Sequence, residues 1–185
     1  MIQQHFQVFT KEEQDFINNN LLSAKTEWRN AAIQPNYIWR HYKSTLIDKD
    51  DAPMMAHRVV QRNDDLEGVP VSPFWDFLEP IFHRVRKNMG LPFDHVLRSS
   101  INLTWNHPAM HSVPHKDHYK VDHYNMVMHL TPISQGGTFI FGEDEMILEE
   151  SSPTVWSATS FGGLWHAQGF CAPGETRVVA VITWR

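Results

Sequence analysis

The chain has 185 residues, is 42% hydrophobic and 20% charged, and carries a formal net charge of -5, a globular composition and not a disordered one. No stretch approaches the roughly 18 to 20 uninterrupted apolar residues of a membrane span, residues 1–20 read as neither a signal nor a transit peptide, and the acidic balance argues against a nucleic-acid surface. One cysteine, Cys171, excludes an internal disulfide and fits a reducing, cytoplasmic setting.

Thr10, with Glu13 three residues on, makes a capping box, and Phe16, Ile17, Leu21 and Leu22 follow at helical spacing, which predicts a helix over 11–23. Residues 37–42 and 56–60 have the β-branched and aromatic content of strands, with an acidic loop at 48–53 between them and another loop at 63–71. Ser72 as N-cap and Pro73 at the first helical position open a second helix. Its stripe of Phe74, Phe77, Leu78, Ile81, Phe82, Val85 and Met89 recurs at three and four residues, Pro80 inside it predicts a kink, and Gly90 closes it. The basic runs 40–43 and Arg84, Arg86, Lys87 read as solvated faces.

After Gly90 the pattern becomes short apolar or alternating runs at 98–105, 124–130, 138–141, 146–149, 154–159 and 176–184, divided by Pro, Gly, Asn and Asp. Helices followed by strands predict an α+β chain, an all-β core with a helical buttress. No repeat or linker divides it, so one domain is expected over 1–185, with support at about 1–95 and the core at about 96–185.

Six of the twelve histidines lie between 107 and 129. Within that run His115 and Asp117 are two apart, so in an extended segment both face one side and can offer an imidazole nitrogen and a carboxylate oxygen to one ion. Two His and one carboxylate on one octahedral face mark non-haem Fe(II) sites. A distal histidine is then required, and His166 is the only one after residue 129. In the last run Arg177 shares a face with Val179 and Val181, so a guanidinium projects into an apolar wall and calls for an anionic partner. His107, His111, His118 and His123 are expected in loop or surface roles, and Trp105, Trp156, Trp165 and Trp184 in the core, with Trp165 facing away from the metal. Gly136-Gly137 and Gly162-Gly163 are read as turns or bends.

Taken together, His115-x-Asp117, His166 and Arg177 resemble the Fe(II)/2-oxoglutarate-dependent dioxygenase superfamily. Within it, residues 124–131 followed by 136–139 are similar to the segment after His-x-Asp in the prolyl 4-hydroxylase-like branch, and residues before 98 are loosely like small phage-type members. The resemblance implies a double-stranded β-helix (jelly-roll, cupin-like), with Fe(II) on His115, Asp117 and His166 as the catalytic centre and Arg177 on the distal carboxylate of 2-oxoglutarate. Where that branch has a Tyr helping to hold this carboxylate, the matching residue here is His129, a departure that keeps a donor. Asn102, Thr104 and Asn125 are candidate pocket residues for the cosubstrate.

The activity implied is O2-dependent hydroxylation of an unactivated C–H, coupled to decarboxylation of 2-oxoglutarate to succinate and CO2, with ascorbate as an in-vitro reductant. The leading substrate is a peptidyl proline or other protein side chain. A small-metabolite hydroxylase, a non-catalytic cupin-like metal-binding module and a zinc hydrolase on the same ligands are the rivals. No membrane partner is expected, and a nucleobase ranks third among substrates, after a protein side chain and a small metabolite, because the net charge is unfavourable. Substrate choice is expected in loops at 106–114, 119–123 and 143–145.

Overall fold

The computed structural model describes residues 1–22, 54–63, 66–143 and 146–185; the strand expected at 37–42, the loop at 48–53 and the basic run at 40–43 lie outside these. Helix α1 (Lys11–Asn20) begins as the sequence dictates: Thr10 Oγ1 accepts from Glu13 N, and Glu13 Oε2 accepts from Thr10 N. Strand β1 (Ile2–His5) precedes it, and β2 (Met54–Asn63) and β3 (Leu66–Pro70) follow. The loop expected at 63–71 is thus corrected. Residues 66–70 pair antiparallel with β2 as an edge strand, and their mostly exposed side chains give no alternating apolar signal.

The second helix, α2 (Phe74–Asn88), runs through Pro80. Its cap position is Pro73, while Ser72 Oγ accepts from Phe74 N at 3.2 Å from one residue further out. Trp75, Leu78, Ile81, Phe82 and Val85 are buried along it, each aliphatic or Phe side chain contributing roughly 1.5–3 kcal/mol. Arg84 is not a free solvated cation: its guanidinium forks onto both Glu13 carboxylate oxygens at 2.8 and 2.7 Å and also donates to Val8 O. That fork ties the two helices together. Arg86 donates to Leu91 O and lies over the Phe93 ring.

The remaining strands are β4 (Val96–Trp105), β5 (Tyr124–His129), β6 (Thr138–Phe141), β7 (Ile147–Glu150), β8 (Ala158–Gly162), β9 (Trp165–Gln168) and β10 (Thr176–Trp184). They form two antiparallel sheets, one in the order β1-β8-β5-β10-β4-β2-β3 and one in the order β7-β6-β9. The strand expected at 154–159 begins instead at Ala158, because 155–156 form a turn in which Trp156 adopts φ +64. That unfavourable backbone is held in place: Trp156 N donates to His129 O, His129 N donates to Ser157 O, and Phe9 packs edge-on against the indole.

Each face of the large sheet has its own partner. Val178, Ala180, Ile182 and Trp184 of β10, with Met126 and Met128 of β5, join the α2 stripe in one core. On the opposite face Val127, Phe161, Val179 and Val181 pack against Ile140 of the small sheet. Two facing antiparallel sheets with helices on one outer side are the double-stranded β-helix with a helical buttress. Cross-strand pairing then fixes what lines the interior. Arg177 stands opposite Thr104, Val179 between Asn102 and His129, Val181 between Ser100 and Val127, and Thr183 between Arg98 and Asn125.

Candidate active site

His115 and His166 are 51 residues apart in sequence and directly opposed in space. They form an isolated antiparallel bridge in which each backbone N–H donates to the other's carbonyl at 2.9 Å. On the small sheet His166 pairs with Ile140, so it shares the inward face, whereas Trp165 pairs with Phe141 and turns outward as expected. Asp117 enters from the irregular segment after His115. Among the described residues these three form a cluster of potential ligand atoms that all lie within 4.8 Å of one another.

The histidine tautomers follow from their contacts. His166 Nδ1 is 3.1 Å from Leu164 O, and His115 Nδ1 is 3.4 Å from Val113 O. A carbonyl only accepts, so Nδ1 carries the proton and Nε2 keeps its lone pair. His166 Nε2 then faces Asp117 Oδ2 at 3.6 Å, two electron-pair donors with no hydrogen between them. A cation satisfies both. Burial pushes the His115 imidazole down to about 3, with His166 adding to the effect, and burial lowers His166 too; both are neutral, as metal ligation requires. For Asp117, burial alone would raise the carboxyl, but the charge of Arg98, with Arg62 adding to it, holds it well below the usual carboxylate range.

Arg98 is a residue the sequence reading missed. Its guanidinium lies 2.5 Å from Asp117 Oδ1, and Arg62 Nη2 donates to the Asp117 backbone carbonyl at 2.8 Å. With Oδ1 engaged by Arg98, Oδ2 is the oxygen turned toward His166. Thr183 Oγ1 accepts from Arg98 Nε at 3.3 Å and donates to Asn125 Oδ1 at 2.8 Å, with Asp117 Oδ2 3.4 Å away. The signal was present in strand parity: Arg98 shares its face with Asn102 and Thr104.

At the other end of the same face Arg177 is 2% exposed. Its Nε donates to Gly136 O at 2.8 Å and its Nη2 to Thr138 Oγ1 at 3.4 Å, and among the described residues no carboxylate lies within ion-pair distance. Gly136 has φ +101, a conformation that suits glycine and turns its carbonyl toward Arg177. Burial pulls the guanidinium down to about 10. His129 is fully buried and pushed down to about 3 by burial and by Arg177. Neither ring nitrogen of His129 has a hydrogen-bond partner, and Asn102 Oδ1, Thr104 Oγ1, Asn125 Nδ2 and Thr159 Oγ1 are buried in the same state.

The structure therefore brings the sequence-named residues together on one lined interior but divides them. Arg177, Thr104, Asn102 and His129 occupy one end, and Asn125 sits at the other beside Thr183 and Asp117. His118 and His123 lie in the loop as expected but not at the surface: they are 6% and 4% exposed, with rings 5.3 Å apart. His107 and His111 lie partly exposed in the loop, packed on Phe170 and on Phe139 and Phe141. Of the four tryptophans expected in the core only Trp184 is fully enclosed; Trp105, Trp156 and Trp165 are half-buried.

No family model matches the chain, and no curated protein matches it in sequence. Solved structures do match. A Pseudomonas putida prolyl-4-hydroxylase superimposes with a TM-score of 0.54 at 10% identity, over 100% of this chain and 91% of that one. A Burkholderia pseudomallei oxidoreductase of the 2OG-Fe(II) oxygenase family gives 0.59 at 10% identity over 80% and 78%. A Trichoplax adhaerens prolyl hydroxylase, solved with a peptide fragment of the hypoxia inducible factor oxygen degradation domain, gives 0.61 at 7% identity over 99% and 82%. At these identities the likeness is one of fold: the chain shares the architecture of 2OG-Fe(II) oxygenases, prolyl hydroxylases among them.

Proposed function

We propose that the protein is an Fe(II)- and 2-oxoglutarate-dependent dioxygenase that hydroxylates an unactivated C–H, with a peptidyl prolyl or other protein side chain as the leading substrate. The observation that carries this reading is Arg177, a buried guanidinium with no carboxylate counter-charge among the described residues, on the interior shared with the His115–Asp117–His166 cluster. A buried cation is stable when an anion completes it. The unpartnered Thr104 hydroxyl and a ring N–H of His129 can donate the hydrogen bonds such an acid needs.

The spacing supports a short dicarboxylate. Thr138, which touches Arg177, and Ile140, which pairs with His166, are two positions apart on β6, roughly 7 Å at about 3.3 Å per residue. An acid anchored at Arg177 thus has its other end near the ligand cluster. His115, Asp117 and His166 would hold Fe(II), which when bound supplies O2 activation coupled to oxidation of the acid to succinate and CO2. The chain's own contribution is positional. Arg98 and Thr183 orient Asp117, the Val113 and Leu164 carbonyls set the imidazole tautomers, and the apolar Val127–Ile140–Phe161–Val179 cluster excludes water between the two ends.

The test is succinate formation by the purified protein with Fe(II), ascorbate and 2-oxoglutarate, with and without proline peptides. Substrate-stimulated succinate that disappears in Asp117→Ala supports the reading; metal binding with no 2-oxoglutarate binding or turnover places the protein with non-catalytic metal-binding modules.

A further inference from the structure

Beside the ligand cluster, and separate from it, lies a cleft of about 250 Å³ between residues 116–123 and the turn at Gly163. Lys116 and His118, which flank Asp117, both line it, so its inner wall is the back of the ligand segment. Lys120 and His123 face it as well. His123 is 4% exposed; its Nδ1 donates to Val121 O at 3.1 Å, and its Nε2 is buried without a hydrogen-bond partner. The ring fits there because residue 163 lacks a side chain: a Cβ on Gly163 would lie 2.9 Å from His123 Cε1.

The charges around this cleft run against the charge of the chain. Lys116 and Lys120 line it, and the carboxylate among its lining residues is Asp122. Two lysines against one carboxylate leave the lining of the cleft with a positive excess on a chain whose formal net charge is -5. Such a local reversal of sign steers and holds anions. Next to it is an apolar shelf: Tyr119 is 72% exposed and packs against Trp165, and Lys116 Nζ lies 5.8 Å from that indole.

We infer that the substrate carries an anionic oxygen group, a carboxylate or a phosphate, that docks between Lys116 and Lys120 while its apolar part lies on the Tyr119–Trp165 shelf. The inference rests on the oxygenase reading only in taking the docked molecule to be the substrate. Within that reading it narrows a protein substrate to one with an acidic residue some way along the chain from the target carbon, because the shelf and the cleft lie on the side of the ligand segment turned away from the cluster.

Metal-free protein without 2-oxoglutarate is titrated with inorganic phosphate, a blocked Glu-Pro-Glu peptide and its Gln-Pro-Gln counterpart, while the His123 Cε1–H resonance is followed by NMR. The phosphate and the acidic peptide should give saturable shifts and the neutral peptide none. Binding should weaken about tenfold or more in Lys116→Ala/Lys120→Ala and on raising salt from about 50 to about 300 mM. Lys11→Ala on α1, whose partner is Asp15, should leave it unchanged. If near-UV circular dichroism shows that the double variant has lost its fold, the exposed single change Lys120→Ala takes its place. A shift with phosphate alone assigns the cleft to small phosphorylated substrates, and a shift with the acidic peptide assigns it to peptide carboxylates. An equal response to the neutral peptide, or a response indifferent to the lysines, overturns the inference. Anion binding by a protein that never consumes 2-oxoglutarate leaves the cleft standing and overturns the oxygenase reading. Turnover stimulated equally by both peptides, with no anion shift, does the reverse.

Discussion

The two faces of β10 differ in what they demand. Outward, Val178, Ala180, Ile182 and Trp184 meet apolar partners and stabilise the fold. Inward, Arg177 and Thr183 bracket Val179 and Val181, and the strands on either side add buried polar atoms without partners at Asn102, Thr104, Asn125 and His129. Burying such groups unsatisfied costs roughly 1–3 kcal/mol each. A strand this apolar on one side and this unsatisfied on the other is built for packing outward and for a ligand inward.

Three changes sharpen that contrast, beginning with the largest expected effect. Trp184→Ala removes a fully buried indole that stacks on Tyr124, meets Phe82 edge-on and donates to Pro92 O. It should cost about 3–5 kcal/mol in urea unfolding. A loss below about 1 kcal/mol would mean that the outer face is not the main core. Next is Arg98→Met, which frees Asp117 Oδ1. It should lower Fe(II) or Co(II) affinity by about 10- to 100-fold, as loss of an orienting partner does, with Arg98→Lys recovering part of it. Titration calorimetry reads this directly, and an unchanged affinity would show that Asp117 needs no such restraint.

The smallest effect is in the pH dependence of stability. His129 is depressed to about 3 in the folded protein, below the ordinary histidine value, so between those values the unfolded chain binds the extra proton. Its contribution is therefore fully present above about pH 6.5 and lost as pH falls toward 3, with a slope approaching 1.4 kcal/mol per pH unit. His129→Leu should flatten the fall in stability between pH 6 and about 5 by up to that slope, about 1 kcal/mol over the unit; an unchanged profile would place a charged histidine in the interior.

Much of the inner face was legible because strand parity is simple. Arg177 among valines, and His115 two before Asp117, announce themselves through alternation, and the chain offers only one distal histidine. The capping box of α1 and the stripe of α2 are equally local signals. What escaped depends on long-range pairing. β1 and β3 are edge strands stabilised by their neighbours, and the start of β8 was displaced by a turn whose Trp156 backbone only the surrounding contacts hold. Arg98 escaped because its role depends on Asp117, nineteen residues away, arriving beside it. The burial of His123 likewise needed the turn at Gly163 to close against its ring.

The central claim is that Arg177 waits for the carboxylate of 2-oxoglutarate. The direct measurement is calorimetric binding of 2-oxoglutarate to the Mn(II)-loaded protein and to its Arg177→Met variant, with unfolding by urea in parallel. The account predicts binding to the parent, a loss of about 100-fold or more in the variant, as for other charged pairs broken on one side, and a change in stability smaller than that of Trp184→Ala. Equal affinity in the two proteins would contradict it.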